Sequence, residues 1–176
     1  STIDAGTQAT LPIKLVSVSN IASSTAASGT ITVSDYSSIT TSTAASAVIA
    51  VTSANITAGD TIDLIDSHNV KHTFTAVDVV GDITSEFLID TSSSNNTAAS
   101  LKNCIDTNIS FSASVSTNQV TVTQAAGGTA GNTTITVTDL AGSAGLAISS
   151  QFASGADGTK ITVTDAQGQA YNLLAD

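Results

Sequence analysis

A five-residue phrase occurs three times in this chain of 176 residues. In each copy a branched apolar residue alternates with a hydroxyl residue, and the phrase stops at aspartate. The copies are 31–35 (ITVSD), 135–139 (ITVTD) and 161–165 (ITVTD). Alternation with a period of two is typical of a β-strand with one buried face, and aspartate favours the turn that follows. The phrase therefore predicts three strands, and their uneven spacing argues against a repeat array.

Eight further runs have strand character, which brings the expected number of strands to about eleven. They are residues 11–18, 48–52, 61–65, 70–77, 87–89, 111–115, 119–123 and 170–174. Pro12 near the start of the first run favours an edge or strand-opening position, because proline cannot donate a ladder hydrogen bond. Short strands separated by polar turns are typical of β-sandwiches, so the predicted fold class is all-β.

One segment departs from the strand pattern. Ala98, Leu101, Cys104 and Ile105 recur at helical intervals, and Asn95 or Asn96 is available as an N-cap. We therefore expect one short helix over residues 97–105 that lies across a sheet edge or end, with Cys104 on its buried face.

Composition excludes several classes of function. The chain has 26 Ser, 29 Thr and 26 Ala, but Lys and Arg together number 4 against 14 acidic residues. A net charge of -10 leaves no basic surface for a phosphate backbone, so no nucleic-acid partner is expected. No run approaches the roughly 18 apolar residues of a membrane span, so membrane insertion is not expected either. A hydrophobic content of 41% still allows a packed core.

The candidate chemical sites do not favour an enzyme. His68 and His72 with Asp66 superficially resemble a metal site, but positions four apart on a strand are about 13 Å apart. Two groups of carboxylates have oxygen ligands of the kind that calcium takes, but neither fits an EF-hand loop: Asp60, Asp63 and Asp66, and Asp78 and Asp82. No Gly-x-Ser-x-Gly elbow occurs, and Cys104 is interpreted as a core residue. We therefore predict no catalytic residue, no cofactor and no metal.

A set of short motifs follows a recognisable order between residues 48 and 157. The motifs are 59–62 (GDTI), 72–75 (HTFT), 97–101 (TAASL), 119–124 (QVTVTQ), 128–133 (GTAGNT) and 151–157 (QFASGAD). In this order they resemble the β-rich, immunoglobulin-like domains of bacteriophage structural proteins and bacterial surface proteins. The resemblance implies a fibre, decoration or surface module with no catalytic residues. Such domains often end with two adjacent glycines, where this chain has Ser154 and Gly155.

Outside that block, the two ends of the chain contain four predicted strands. We interpret residues 45–157 as a larger immunoglobulin-like β-sandwich domain with one helix, inserted into a small β-sandwich domain formed by residues 21–44 and 158–176. So small a domain buries only about 60% of its unfolded surface and is marginal alone. A strand supplied by a neighbouring molecule would stabilise it.

Residues 1–20 form the candidate assembly strand. Its apolar residues are Leu11, Ile13, Leu15, Val16 and Val18, and a linker of small residues over 22–28 follows it. Such a tethered strand either folds back onto its own domain or completes a neighbour's sheet. In the second case the contact is head to tail and open-ended, and a filament results. This arrangement looks like donor-strand assembly in pilus-like fibres.

The sequence thus predicts a non-enzymatic structural subunit of an extracellular or virion-associated filament, whose partners are copies of itself. The alternative is a phage decoration module or an adhesin that binds a glycan or a cell surface. Aromatic residues make up 3% of the chain, which disfavours sugar binding, because sugars usually stack on aromatic rings.

Overall fold

The computed structural model describes residues 10–14, 28–32 and 39–174, and most of the regular structure in these residues is β-strand, with one α-helix. The predicted all-β class with one short helix is therefore confirmed. The strands are β1 (Thr10–Lys14), β2 (Ser28–Thr32), β3 (Ala44–Val51), β4 (Thr61–Ile65), β5 (Lys71–Val77), β6 (Glu86–Leu88), β7 (Phe111–Ser116), β8 (Gln119–Gly127), β9 (Ile135–Thr138), β10 (Leu146–Ala153), β11 (Lys160–Thr164) and β12 (Ala170–Leu174). The helix α1 spans Ser94–Asp106.

Two four-stranded sheets and α1 share one hydrophobic core, and we call this unit (residues 43–156) the body. One sheet is antiparallel with the order β10-β3-β8-β7. The other has the order β6-β5-β4-β9 and is mixed, because β5 and β6 run parallel. All four phenylalanines of the chain are buried in this core: Phe74, Phe87, Phe111 and Phe152. The scarce aromatic side chains are thus concentrated where two sheets face each other.

Strand alternation is visible in the burial of the central strands. In β3 every second residue is fully buried, from Ala45 to Val51, and in β4 the buried residues are Ile62 and Leu64. Successive side chains of a strand point to opposite faces, so a period-two apolar pattern puts one set in the core. This is why residues 61–65 could be identified as a strand from the sequence.

The helix begins earlier than the sequence suggested. Its N-cap is Ser93, whose hydroxyl accepts a hydrogen bond from the Asn96 amide, so the prediction of Asn95 or Asn96 as the cap was wrong. Serine caps well because it holds an extended backbone while its oxygen reaches the third amide of the helix. Leu101 and Cys104 lie in the core, which confirms the predicted burial of Cys104.

Strand boundaries show where local pattern was insufficient. The strand predicted at 48–52 begins at Ala44, and β10 was missed altogether. Two register shifts interrupt the pairing of β10 with β3, and in β10 only Leu146 and Phe152 are buried. Bulges destroy the regular alternation on which a sequence-based assignment depends. The end of the predicted 11–18 strand and residues 33–35 of the first phrase lie outside the described residues.

A buried glutamine joins the two sheets. Gln124 of β8 is 2% exposed, and its amide nitrogen donates to the Ile65 carbonyl at 2.9 Å. Its amide oxygen accepts a hydrogen bond from the Ser67 backbone amide at 3.1 Å. A buried polar side chain is tolerated when its hydrogen bonds are made. The geometry of these hydrogen bonds then favours one arrangement of the neighbouring residues. Gln124 thus fixes β8 against the end of β4.

Replacing Thr117 by glycine is expected to raise the free energy of unfolding by about 1 kcal/mol. Thr117 is the first residue of the two-residue turn between β7 and β8, and its φ is 54°, a left-handed value that β-branched residues disfavour. Glycine adopts this conformation without strain. Urea unfolding followed by circular dichroism should show a higher midpoint. Thr121→Gly, inside β8, is the matched control and should lower the midpoint; a Thr117→Gly midpoint at or below that of the parent would contradict the prediction.

Candidate assembly site

The chain enters and leaves the body at the same place. Thr43 and Ala156 exchange two backbone hydrogen bonds, with N to O distances of 2.8 and 3.0 Å. Farther from the body, the Thr159 amide donates to the Thr40 carbonyl at 2.7 Å, and the Thr40 amide donates to the Thr159 hydroxyl at 2.9 Å. We call these two paired segments, residues 39–43 and 156–159, the neck. The chain segments that precede and follow the body therefore leave it side by side.

The glycine-rich turn after β8 holds the neck. The side-chain amide of Asn132 donates to the Gly155 carbonyl at 3.0 Å and accepts from the Gly155 amide at 2.8 Å. The Asp157 carboxylate accepts a hydrogen bond from the Thr129 amide at 2.7 Å. Two motifs quoted from the sequence, 128–133 and 151–157, thus meet in space. Ser154, within the second of these motifs, has a φ of 66°, in the left-handed region.

The first terminal hairpin pairs β1 with β2. The pairing is antiparallel, with Leu11 opposite Ile31 and Ile13 opposite Gly29. Positions 11, 13 and 31 therefore share one side of the pair. Residues 15–27 connect the two strands. Among the predicted assembly residues, Leu11 and Ile13 lie in β1, whereas Leu15, Val16 and Val18 are outside the described residues.

The second terminal hairpin pairs β11 with β12 through a compact turn. The Asp165 carboxylate accepts hydrogen bonds from the amides of Gln167 and Gln169, at 2.9 and 2.8 Å. The backbone amide of Asp165 also donates to the Gln169 carbonyl at 2.9 Å. An aspartate that bonds to amides farther along the chain stabilises a turn. This hairpin is therefore defined by local contacts.

Side chains contact backbone groups on three of the four edge strands of the body sheets, β9, β6 and β7. The Gln151 side chain of β10 bonds to the amide and the carbonyl of Ile135 in β9. At the other side of the body, the Ser100 hydroxyl of α1 accepts from the Leu88 amide of β6 at 2.8 Å. The Asp106 carboxylate accepts from the amide of Ala113 in β7 at 2.6 Å. Side chains that occupy edge groups, and a helix laid over an edge, oppose further strand pairing.

A polar network around His72 brings together an aspartate, a histidine and a serine. Asp66 Oδ2 accepts from the Ser110 hydroxyl at 2.9 Å and lies 3.0 Å from His72 Nε2. The side-chain amide nitrogen of Asn108 lies 2.8 Å from His72 Nδ1, within hydrogen-bond distance. Both ring nitrogens are thus in use, and the serine bonds to the carboxylate. This arrangement differs from a Ser-His-Asp triad, in which the serine hydroxyl bonds to the imidazole.

The electrostatics of Asp66 follow from its surroundings. Its side chain is 5% exposed, and burial by itself raises the pKa of a carboxyl group. Hydrogen bonds from His72, from the Val70 amide and from Ser110 outweigh that effect. The pKa of Asp66 therefore lies well below its usual range. The sequence identified the two histidines and Asp66 as neighbours along the chain but did not indicate that the hairpin brings His72 onto Asp66.

Two of the carboxylates considered for calcium, Asp60 and Asp63, illustrate the protein contacts that these side chains make. Asp60 accepts hydrogen bonds from the Thr57 and Leu140 amides, both at 2.8 Å. Asp63 forms an ion pair with Lys71 at 3.0 Å. Within residues 39–173, no group of three or more His, Cys, Asp or Glu side chains is arranged to hold a metal ion. The described part of the chain also has no helix with the length and apolar character of a membrane span.

Comparison of the chain with known protein families, with characterised proteins and with solved structures found no match. The candidate site therefore rests on the hairpins, the neck and the three contacted edges of the body.

Proposed function

We propose that this protein is a non-enzymatic structural subunit that assembles head to tail with copies of itself, and that β1 is the strand it donates. The product is a homopolymeric filament outside the cell or on a virion surface. The resemblance to phage structural and bacterial surface domains supports this location. We further propose that the body is one immunoglobulin-like domain and that the two terminal segments contribute to a second, smaller one.

The observation that carries the proposal is the pairing of the terminal strands. In the described residues, β1 pairs with β2 and β11 pairs with β12, each as a separate two-stranded sheet. A two-stranded hairpin is marginally stable by itself in water. Because the neck sends both chain ends out from one side of the body, the two hairpins are available to the same neighbour. The need for further strands supports assembly.

The connection between β1 and β2 supports strand donation. A hairpin usually needs two to five loop residues, but residues 15–27 separate these strands. Fully extended, a tether of that length reaches about 45 Å. The pairing of β1 with β2 therefore does not require one chain, and β1 of one copy can occupy the same register on β2 of the next. Such an exchange is open-ended when each copy both gives and receives a strand.

The three contacted edges of the body support the same assignment. Contacts from Gln151, Ser100 and Asp106 occupy backbone groups of the edge strands β9, β6 and β7. Lateral pairing between bodies is therefore disfavoured. Pairing through the terminal strands needs none of these three edges.

Deletion of residues 1–20 tests the proposal. The full chain should form filaments in negative-stain micrographs, and the truncated chain should sediment as a monomer with an unchanged circular dichroism spectrum of the body. A synthetic peptide of residues 1–20 should bind the truncated chain, because the vacated position on β2 accepts it. A shorter deletion, residues 1–8, ends before β1 and is the matched control; it should still form filaments.

Filaments of normal length from the chain without residues 1–20 would overturn the proposal. A full chain that stays monomeric at every concentration tested would overturn it as well, and if that monomer bound cell surfaces or glycans it would favour the decoration or adhesin alternative.

A further inference from the structure

We propose that one face of the β11–β12 hairpin is the surface on which β1 of a second copy is seated. This inference rests on the proposed function and names the acceptor surface for the donated strand. We call the surface the acceptor face; its residues are Ile161, Val163, Tyr171 and Leu173.

Register defines the acceptor face. Ile161 lies opposite Leu173, and Val163 lies opposite Tyr171. Residues directly opposite each other in an antiparallel pair share a face, and so do residues two apart on one strand. The four apolar side chains are therefore contiguous. The centre of the other face is polar, where the Thr162 hydroxyl donates to the Asn172 side-chain oxygen at 2.9 Å.

The acceptor face is incompletely covered. Tyr171 is 54% exposed and Leu173 is 37% exposed, whereas every phenylalanine of the body is at most 5% exposed. A hairpin with one apolar and one polar face is half of a sandwich. Its apolar face requires a second layer, and the four side chains define where that layer lies.

Charge favours β1 as the occupant. Two copies that each carry a net charge of -10 repel each other, so they approach best at a surface without charged side chains. None of the four residues of the acceptor face is charged, and among the described residues the one carboxylate in contact with it is Asp165, which accepts a hydrogen bond from the Tyr171 hydroxyl at 3.4 Å. β1 carries a single charged residue, Lys14, whose positive sign favours its approach to an acidic neighbour. Positions 11 and 13 of β1 add two apolar residues on one side of the strand.

The size of the acceptor face favours a strand from a second copy over an unrelated globular protein. A stable interface buries about 1,200–2,000 Å² in total, more than four side chains supply. A donated strand adds backbone hydrogen bonds to β2 of the receiving copy, in the register that β1 and β2 already show. Apolar contact with the acceptor face and strand pairing with β2 together bury more surface than the face alone.

Mixed disulfide cross-linking tests this inference. Leu11→Cys is introduced into one preparation of the full chain and Tyr171→Cys into a second, heavier tagged preparation. The two are mixed, oxidised and separated on a non-reducing gel. The native Cys104 does not interfere, because it is 3% exposed and burial raises the pKa of its thiol to about 11. We expect cross-linked chains of mixed mass.

The matched control replaces Asn172, on the polar face, by cysteine. The yield with Leu11→Cys should fall about tenfold, because a disulfide requires Cα atoms within about 7 Å. Leu173→Cys is the second acceptor variant and guards against a loss of assembly caused by removing Tyr171; it should also cross-link.

Several results would overturn the inference. They are equal yields with Asn172→Cys, cross-links between two Tyr171→Cys chains in place of mixed ones, or a bond that forms only within a single chain carrying both cysteines. If filaments still depend on residues 1–20 in those cases, the proposed function stands and the acceptor face is wrong. If the full chain forms no filaments, the proposed function itself fails.

Discussion

Gly155→Ala is expected to lower the free energy of unfolding by about 3 kcal/mol or more, near the upper end for an overpacked site. A Cβ at this position would lie 2.5 Å from the Gly128 carbonyl oxygen and 3.0 Å from the Ala45 Cβ. These atoms belong to the backbone or to a short side chain, so no side-chain rotation can relieve the clash. The substitution would also push apart the paired hydrogen bonds with Asn132, which hold the closing segment at the neck.

Urea unfolding followed by circular dichroism measures this loss, since the chain has no tryptophan. Gly142→Ala is the matched control. No atom lies within 4 Å of a Cβ there, but the φ of 68° disfavours alanine, so a loss of about 1 kcal/mol is expected. If the two variants lost the same free energy of unfolding, the steric clash at Gly155 would not be the cause of the destabilisation.

Asp66→Asn is expected to cost about 3 kcal/mol at pH 7, because an amide nitrogen would face buried donors. The carboxylate now accepts from Ser110, from His72 and from the His68 and Val70 amides. An asparagine oxygen can serve some of these donors but not all of them. Asp78→Asn removes the same charge from an exposed position and should change the free energy of unfolding little.

The cost of Asp66→Asn should depend on pH in a defined direction. The pKa of Asp66 is lower in the folded protein than the value of about 3.9 in an unfolded chain. Its carboxylate therefore stabilises the fold fully above the unfolded pKa, and the contribution is lost as the pH falls from about 5 towards the lower, folded value. The parent should lose stability over this interval more steeply than Asp66→Asn.

Other carboxylates with lowered pKa values do not confuse this comparison. These carboxylates belong to Asp63, Asp82, Asp90 and Asp139, and hydrogen bonds from nearby hydroxyls and amides lower their pKa values. All four are present in both proteins, so their contributions cancel in the difference. A cost of Asp66→Asn that stays constant between pH 7 and pH 3 would show that the charge of Asp66 is not what stabilises the fold.

The local features of the fold followed from the sequence. Residues 61–65 were identified as a strand because their apolar residues alternate, and Cys104 was placed in the core because it shares a helical face with Leu101. Both inferences use neighbours within a few positions. Strand β10 was missed because its pairing with β3 contains two bulges, and a bulge is a property of two strands that no single segment displays.

The candidate site depended on longer-range contacts. The sequence identified the apolar residues of β1 but not the neck, which joins residues 119 positions apart, Thr40 and Thr159. It also did not indicate that side chains from α1 and β10 occupy the body edges. Such contacts are set by the packing of distant elements, and a spacing rule along the chain carries no information about them.

The repeated phrase separates what sequence and tertiary structure decide. In β9 and β11 the same residues, ITVT, form strands of the same alternation, as the sequence alone determined. In β9 the leading Ile135 is 3% exposed, because β9 joins a four-stranded sheet over the core. In β11 the leading Ile161 is half-buried on a hairpin whose apolar face is incompletely covered. Period-two alternation specifies a strand with one apolar face, whereas the layer that covers this face depends on which other strands the chain brings to it.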